Sequence, residues 1–310
     1  MKNKIIVIAG PTATGKTRLA VSLAERFHGE VISADSMQIY RHMDIGSAKP
    51  TVEEMKGIRH WMINTTEPTE NFSVAQYVEM ANAAAENILS RGKLPILAGG
   101  TGLYISSFVD NVQFTQSETD FSLREKLFHE ADVAGKDALH QKLFEIDPRS
   151  AEKIHPNNVK RVVRALELYY TTGKTMTQQN EQSRLQSSPY EPLMLALETD
   201  RDILYDRINR RVDIMLQNGL LREIETLKGM GLTSEMQSMQ GIGYKELLNS
   251  CETKEGLAEA IEQVKKNSRN YAKRQLTWFR RDARYHWLDC MAEDVEQQAV
   301  KLVKNFLEQQ

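Results

Sequence analysis

The pattern of apolar and polar positions divides the chain into three stretches. In the first, short apolar runs alternate with amphipathic segments. Residues 4–9 carry Ile5-Ile6-Val7-Ile8-Ala9, which predicts a strand buried on both faces. Residues 15–27 predict the helix that follows. Val31-Ile32-Ser33-Ala34 predicts a second strand ending at Asp35, and His60-Trp61-Met62-Ile63 a third. Ser73 is a suitable N-cap for a helix reaching about Ser90, with Val74, Tyr77, Val78, Ala81, Ala85, Ile88 and Leu89 on its apolar face. Leu94-Pro95-Ile96-Leu97-Ala98 predicts another buried strand, and residues 99–104 a loop at its C-terminal end. Strands alternating with helices imply a parallel, doubly wound α/β sheet.

The second stretch has a different rhythm. Helical patterns cover roughly residues 120–130, 136–145, 148–154 and 157–172, with no strand among them. Residues 115–188 therefore read as an all-helical insertion, hinged at residues 113–119 and at Ser187-Ser188-Pro189. Gly173, ahead of Lys174-Thr175, reads as a helix C-cap. The third stretch returns to the sheet at Leu193-Met194-Leu195-Ala196-Leu197, and long helical segments are expected from there to the end. The domain reading is thus a core formed by residues 1–114 and 189–310, with residues 115–188 inserted.

Composition adds bounds. The 310 residues are 41% apolar, enough for one large domain and a smaller one. A net charge of −2 does not announce a nucleic-acid binder, although an average can hide a local basic face. Cys251 and Cys290 have neither metal-ligand spacing nor a redox partner, which fits a reducing cytoplasm. No signal peptide is expected, and no apolar run approaches the ~20 residues of a membrane span.

Candidate chemistry begins at Gly10-Pro11-Thr12-Ala13-Thr14-Gly15-Lys16-Thr17, directly after the first strand. Glycines at both ends of a tight turn, then Lys and Thr opening a helix, form a P-loop. Its backbone N–H groups point inward at phosphate oxygens. Lys16 adds a positive charge and Thr17 a hydroxyl for Mg²⁺. The fold expected is therefore a P-loop NTPase-like parallel sheet core with an inserted all-helical domain. Taken alone, the loop suits an ATP-dependent kinase as well as any other enzyme of a di- or triphosphate.

Ligands of such sheets sit beyond the carboxyl ends of the strands, where the P-loop, Asp35 and residues 99–104 all fall. Asp35 suits Mg²⁺ or acceptor binding in a kinase, a general base in a transferase, or a turn cap. Thr101 offers a hydroxyl among three glycines. Lys160, Arg161 and Arg164 cluster at the start of one helix, as an RNA contact or a solvated face. Arg207 and Arg211 either clamp a phosphate or pair with Asp206 and Asp213. Near the C-terminus, steps of three and four carry Lys266, Arg269, Lys273, Thr277, Arg280 and Arg284 along one helical face, with Trp278 and Phe279 interleaved. Such a stripe suits a nucleic-acid backbone.

Together these motifs resemble the tRNA dimethylallyltransferase (tRNA isopentenyltransferase) family. The P-loop, Asp35-Ser36-Met37-Gln38-Ile39-Tyr40, residues 99–104, residues 157–167, Gly241-Ile242-Gly243-Tyr244-Lys245-Glu246 and residues 273–280 follow in the family's order, from about residue 4 to 289. The resemblance implies transfer of a dimethylallyl group from dimethylallyl diphosphate to N6 of adenine 37, beside the anticodon. It implies Asp35 as the catalytic base, with Thr101, Arg207 and Arg211 assisting around the phosphates that Gly10, Thr12, Ala13, Thr14, Gly15, Lys16 and Thr17 cradle. It implies Mg²⁺ held partly by Thr17. It further implies tRNA contacts at Asp35, Ser36, Met37, Gln38, Thr101, Lys160, Arg161, Arg164, Gly241, Gly243, Tyr244, Lys245, Lys273, Arg274 and Arg280, with Gln38 reading the base. The expected protein is a cytoplasmic monomer that grips an anticodon stem-loop.

Overall fold

The computed structural model describes residues 2–114, 121–185, 187–248 and 254–309. Six parallel strands form one sheet in the order β3-β2-β4-β1-β5-β6. They are β1 (Asn3–Ala9), β2 (Gly29–Ala34), β3 (His60–Trp61), β4 (Leu94–Gly99), β5 (Tyr190–Glu198) and β6 (Tyr285–Asp289). The central strand β1 is buried from Ile5 to Ala9, as its unbroken apolar run requires when helices cover both faces. Pro95 and Pro192 are tolerated inside β4 and β5 because each lies beyond the end of one neighbour. Pro95 pairs only with Glu30, since β1 joins β4 from Ile96. Pro192 pairs only with Ile5, since β6 joins β5 from Met194.

The first helices are α1 (Lys16–Arg26), α2 (Val52–Met55), α3 (Val74–Ser90) and α4 (Gly102–Val109). Thr51 and Ser73 close capping boxes on α2 and α3. Then come α5 (Phe121–Ala134), α6 (Lys136–Ile146), α7 (Pro148–Ala151), α8 (Val159–Thr172) and α9 (Met176–Leu185). The last are α10 (Arg201–Gln217), α11 (Leu220–Gly229), α12 (Tyr244–Leu247), α13 (Lys254–Phe279) and α14 (Val295–Glu308).

The chain divides into two compact units. One comprises Met1–Val109 and Pro189–Gln310, the other Asp110–Ser188. The first packs Ile6, Ile8, Leu23, Ile96 and Leu195 with Val303 and Phe306 of α14. The second has its own core of Leu127, Leu139, Leu143, Val162, Val163 and Leu166. Gly173 ends α8 in the left-handed conformation expected of a C-cap.

Four expectations are corrected. The segment after β5 is not helical to the end, because Tyr285–Asp289 adds an edge strand. Residues 99–104 are not all loop, because α4 starts at Gly102. The third strand is two residues long, because Met62 turns the chain with φ 63°. The second unit starts at Asp110 rather than at residue 115 and holds a further helix, α9. Cys251 and residues 115–119 of the first hinge lie outside the described residues.

Candidate active site

Three loops meet at the carboxyl ends of β1, β2 and β4. Gly10 leaves β1 with φ 141°, and a Cβ there would stand 2.6 Å from the Leu197 carbonyl oxygen of β5. Only glycine lets the loop start so close to the neighbouring strand. Gly15 stands at the N-cap of α1 with φ 85° and no side-chain cap, and the first turn carries no acidic residue. The amides opening α1 thus have no side-chain acceptor of the kind that closes α2 and α3, an arrangement that suits an anion. Thr14 is buried, and its hydroxyl donates to the Pro11 carbonyl at 2.8 Å. Its hydroxyl is therefore already engaged within the loop.

Lys16 Nζ donates to the Pro11 carbonyl at 2.6 Å. Burial, and then the neighbouring Arg211 guanidinium, lower its pKa to about 7 against the pull of Asp35 and Cys290. Arg211 is lowered as well, by burial, with Asp35 and then Glu54 opposing. The sequence left open whether Arg207 and Arg211 pair with Asp206 and Asp213. They do not: Asp206 pairs with Arg210 and Asp213 with Lys265. Arg207 instead reaches Met291 Sδ at 3.1 Å. The site thus gathers Lys16 and Arg211, both desolvated, near the carboxylate of Asp35, with Glu54 acting on Arg211 as well. Cations held this way await an anion.

Asp35 serves both as a turn cap and as a base candidate. Its Oδ1 accepts from the amides of Met37 at 2.8 Å and Gln38 at 3.3 Å. That fixes the carboxylate's orientation through one of its two oxygens. Thr101 stitches β4 to β2: its amide donates to the Ala34 carbonyl at 3.0 Å, and its Oγ1 accepts from the Ser36 amide at 3.1 Å. Around Asp35 stand the phenols of Tyr77, Tyr104 and Tyr271, each raised first by burial and further by the Asp35 charge. Tyr271 is pushed up to about 12.

Several expected RNA contacts have other partners. Gln38 Oε1 accepts from Ser33 Oγ at 2.9 Å, and its amide nitrogen donates to the Ala48 carbonyl at 3.2 Å. Tyr244 is wholly buried, and its hydroxyl donates to Glu223 at 2.7 Å. Within residues 241–245 only Lys245 is exposed. Gly241 backs Met37, whose Cε would lie 2.5 Å from a Cβ at that position. Gly243 precedes α12 with φ 98°. Lys273 and Arg274 are exposed on α13. The expected stripe stops there, because α13 ends at Phe279. Beyond it Arg280 pairs with Glu198 at 3.1 Å and Arg284 with Asp282 at 2.6 Å. Lys160, Arg161 and Arg164 belong to the other unit. The first two are exposed, and Arg164 pairs with the buried Glu167 at 2.9 Å.

Sequence reasoning assigned no role to Glu223 or Gln275. Glu223 of α11 accepts from the amides of Asp44 and Ile45, each at 2.7 Å, and of Gly46 at 3.0 Å. Gln275 joins the P-loop to residue 100, as described below. The sequence signals for Gln275 are its place within the motif of residues 273–280 and its spacing, one turn after Tyr271 on the same helical face.

The family model described as IPP transferase matches residues 38–282. A tRNA dimethylallyltransferase of Acetivibrio thermocellus is 48% identical over 305 residues, 98% of this chain and 97% of that protein. One of Caldanaerobacter subterraneus subsp. tengcongensis is 50% identical over 282 residues, 90% of each. The crystal structure of a Bacillus halodurans tRNA isopentenylpyrophosphate transferase superposes with a TM-score of 0.72 at 44% identity, covering 100% of both chains. That of a eukaryotic dimethylallyltransferase acting on tRNA gives 0.85 at 32% identity, covering 98% of this chain and 79% of the other.

Proposed function

Because the chain belongs to the IPP transferase family, we propose that it transfers a dimethylallyl group from dimethylallyl diphosphate to N6 of adenine 37 in the tRNA anticodon loop. The observation that carries this reading is the carboxylate of Asp35 beside two desolvated basic side chains, Lys16 and Arg211. An exocyclic adenine amine is a weak nucleophile, since its lone pair is delocalised into the ring. Asp35 takes its proton as the new carbon–nitrogen bond forms, which is worth ~10²–10⁴ in rate. The allylic carbon–oxygen bond breaks, and charge builds on the departing diphosphate. The P-loop amides of residues 13–17, Lys16 and Arg211 stabilise that charge, with Arg207 beside them. Thr101 holds Ser36 and so the turn that aims Asp35.

Mg²⁺ fits this donor set. The described residues hold no cluster of three or more His, Cys, Asp or Glu able to cage an ion. A hydroxyl at Thr17 with substrate phosphate oxygens and waters is the coordination Mg²⁺ favours. Bound there, it would neutralise diphosphate charge.

The target base must leave its stack, at a cost of a few kcal/mol. Exposed cations grip the RNA backbone around it: Lys245, Lys273 and Arg274 on one unit, Lys160 and Arg161 on the other. Gln38 would read the base with its second amide N–H, the carboxamide being held by Ser33 and Ala48. No helix among the described residues is long and apolar enough to cross a membrane. The test supplies labelled dimethylallyl diphosphate with undermodified tRNA, and separately labelled ATP. Label entering tRNA from the prenyl donor alone supports the transferase; transfer of the ATP γ-phosphate instead overturns it.

A further inference from the structure

The P-loop is held from outside by a residue of α13. Gln275 is buried, and both ends of its carboxamide are used. Its Oε1 accepts from the Thr12 amide at 3.0 Å, and its Nε2 donates to the Gly100 carbonyl at 2.9 Å. One side chain thus spans the phosphate loop after β1 and the loop after β4 that carries Thr101. Two further observations show that the arrangement is specific. A Cβ on Gly100 would fall 2.2 Å from Gln275 Nε2, so the missing side chain at residue 100 is the space the carboxamide fills. Ala13, next to Thr12, is held at φ 65°, a left-handed conformation that a non-glycine residue keeps only when its surroundings impose it. The Gln275 bond fixes the Pro11–Thr12 peptide, one residue before Ala13. Ala13 itself packs against the cluster of Leu204, Ile208 and Ala272.

We infer that Gln275 is a positioning residue for the reaction: it sets the Pro11–Thr12 peptide, and through it the loop amides that follow, in fixed register with Thr101. The inference rests on the proposed diphosphate site. A carboxamide is required because one end must accept and the other donate. Glutamate of the same shape accepts from Thr12 but, when ionised, presents a second oxygen to the Gly100 carbonyl. Burial against that carbonyl raises its pKa, and protonation restores the donor.

The experiment uses full-length protein carrying Gln275→Met or Gln275→Glu, with inorganic pyrophosphate as the calorimetric probe beside steady-state transfer. For Gln275→Met, pyrophosphate affinity falls and KM for the prenyl donor rises, each by about tenfold, as expected for loss of a buried two-ended hydrogen bond. Affinity for tRNA stays within about twofold. For Gln275→Glu, pyrophosphate affinity relative to wild type recovers as pH falls from about 8 to about 6, a signature that a merely structural glutamine would not produce. Wild-type pyrophosphate affinity and donor KM in Gln275→Met overturn the inference. So does a Gln275→Glu deficit that is independent of pH, and this second readout stands even if the Met variant folds poorly. A wild-type protein that binds pyrophosphate but prenylates no tRNA sinks the functional reading instead, and the binding arm still judges Gln275.

Discussion

Asp35 has two roles that one substitution separates. Asparagine at this position still offers an oxygen to the Met37 and Gln38 amides, so the turn survives. It cannot accept the N6 proton. Asp35→Asn is expected to keep tRNA affinity within a few-fold while single-turnover transfer falls by ~10²–10⁴. Wild-type transfer would remove Asp35 as the base. Lys16 gives a second test at this scale. Its pKa in the free protein is lowered to about 7, first by burial and then by Arg211. At about pH 8.5 the free site therefore holds a mostly neutral amine, and an arriving diphosphate restores the ammonium. Binding of pyrophosphate is expected to take up close to one proton there and much less at about pH 6. Calorimetry in buffers of different ionisation enthalpy measures the uptake, with Lys16→Met as the reference. Equal uptake in that variant would mean that Lys16 stays charged throughout. The P-loop was legible because its chemistry is local, with fixed glycines, Lys and Thr over eight positions. The depressed Lys16 was not, because it depends first on burial in the folded chain and then on Arg211 brought in from α10.

The elements behind the site divide their labour by face. On α13, Ala272, Gln275 and Phe279 are buried while Lys273, Arg274 and Thr277 are exposed. Lys273→Glu with Arg274→Glu is expected to weaken tRNA binding and to lower the slope of log affinity against log salt by about two, since each lost phosphate contact removes ~0.7–0.9. An unchanged slope would make this a solvated face only. Arg280→Ala should move the slope less, because Arg280 already pairs with Glu198 and covers the Trp287 ring. Charge periodicity extended the stripe to Arg284, but periodicity of charge does not say where a helix stops. That was decided by β6, a five-residue strand whose identity rests on pairing with β5 rather than on its own pattern. Glu223 on α11 was hidden for the same reason. Its carboxylate serves three amides of residues 44–46, far away in sequence. Glu223→Ala is expected to cost about 1–3 kcal/mol in urea unfolding, from amides left without an acceptor.

At the scale of the whole molecule, the alternation of strands and helices made the sheet and the interruption legible, because both are written in local periodicity. The exact point where the chain leaves the core was not, since the contacts that define Asp110 as the first residue of the second unit are tertiary. The core unit nonetheless records how closely its two ends meet. Phe108, at the end of α4, stacks on Tyr190, at the start of β5, with ring centroids 4.8 Å apart and planes 18° from parallel. A break whose ends are this close is bridged by a short loop at little entropic cost. The inserted unit also buries its own leucines and valines rather than lending them to the sheet. Replacing residues 110–188 by about five Gly and Ser residues, a length typical of a short connection, should therefore leave a core that unfolds cooperatively and binds pyrophosphate within a few-fold of the full chain. Prenyl transfer to tRNA should drop by at least ~10², because Lys160 and Arg161 leave with the insertion, and exposed cations of this kind carry affinity for an RNA backbone. Calorimetry and a transfer assay on the same preparation separate the two effects. A core that folds but no longer binds pyrophosphate would show that the phosphate site depends on the insertion. Undiminished transfer would show that the basic start of α8 plays no part in holding the RNA.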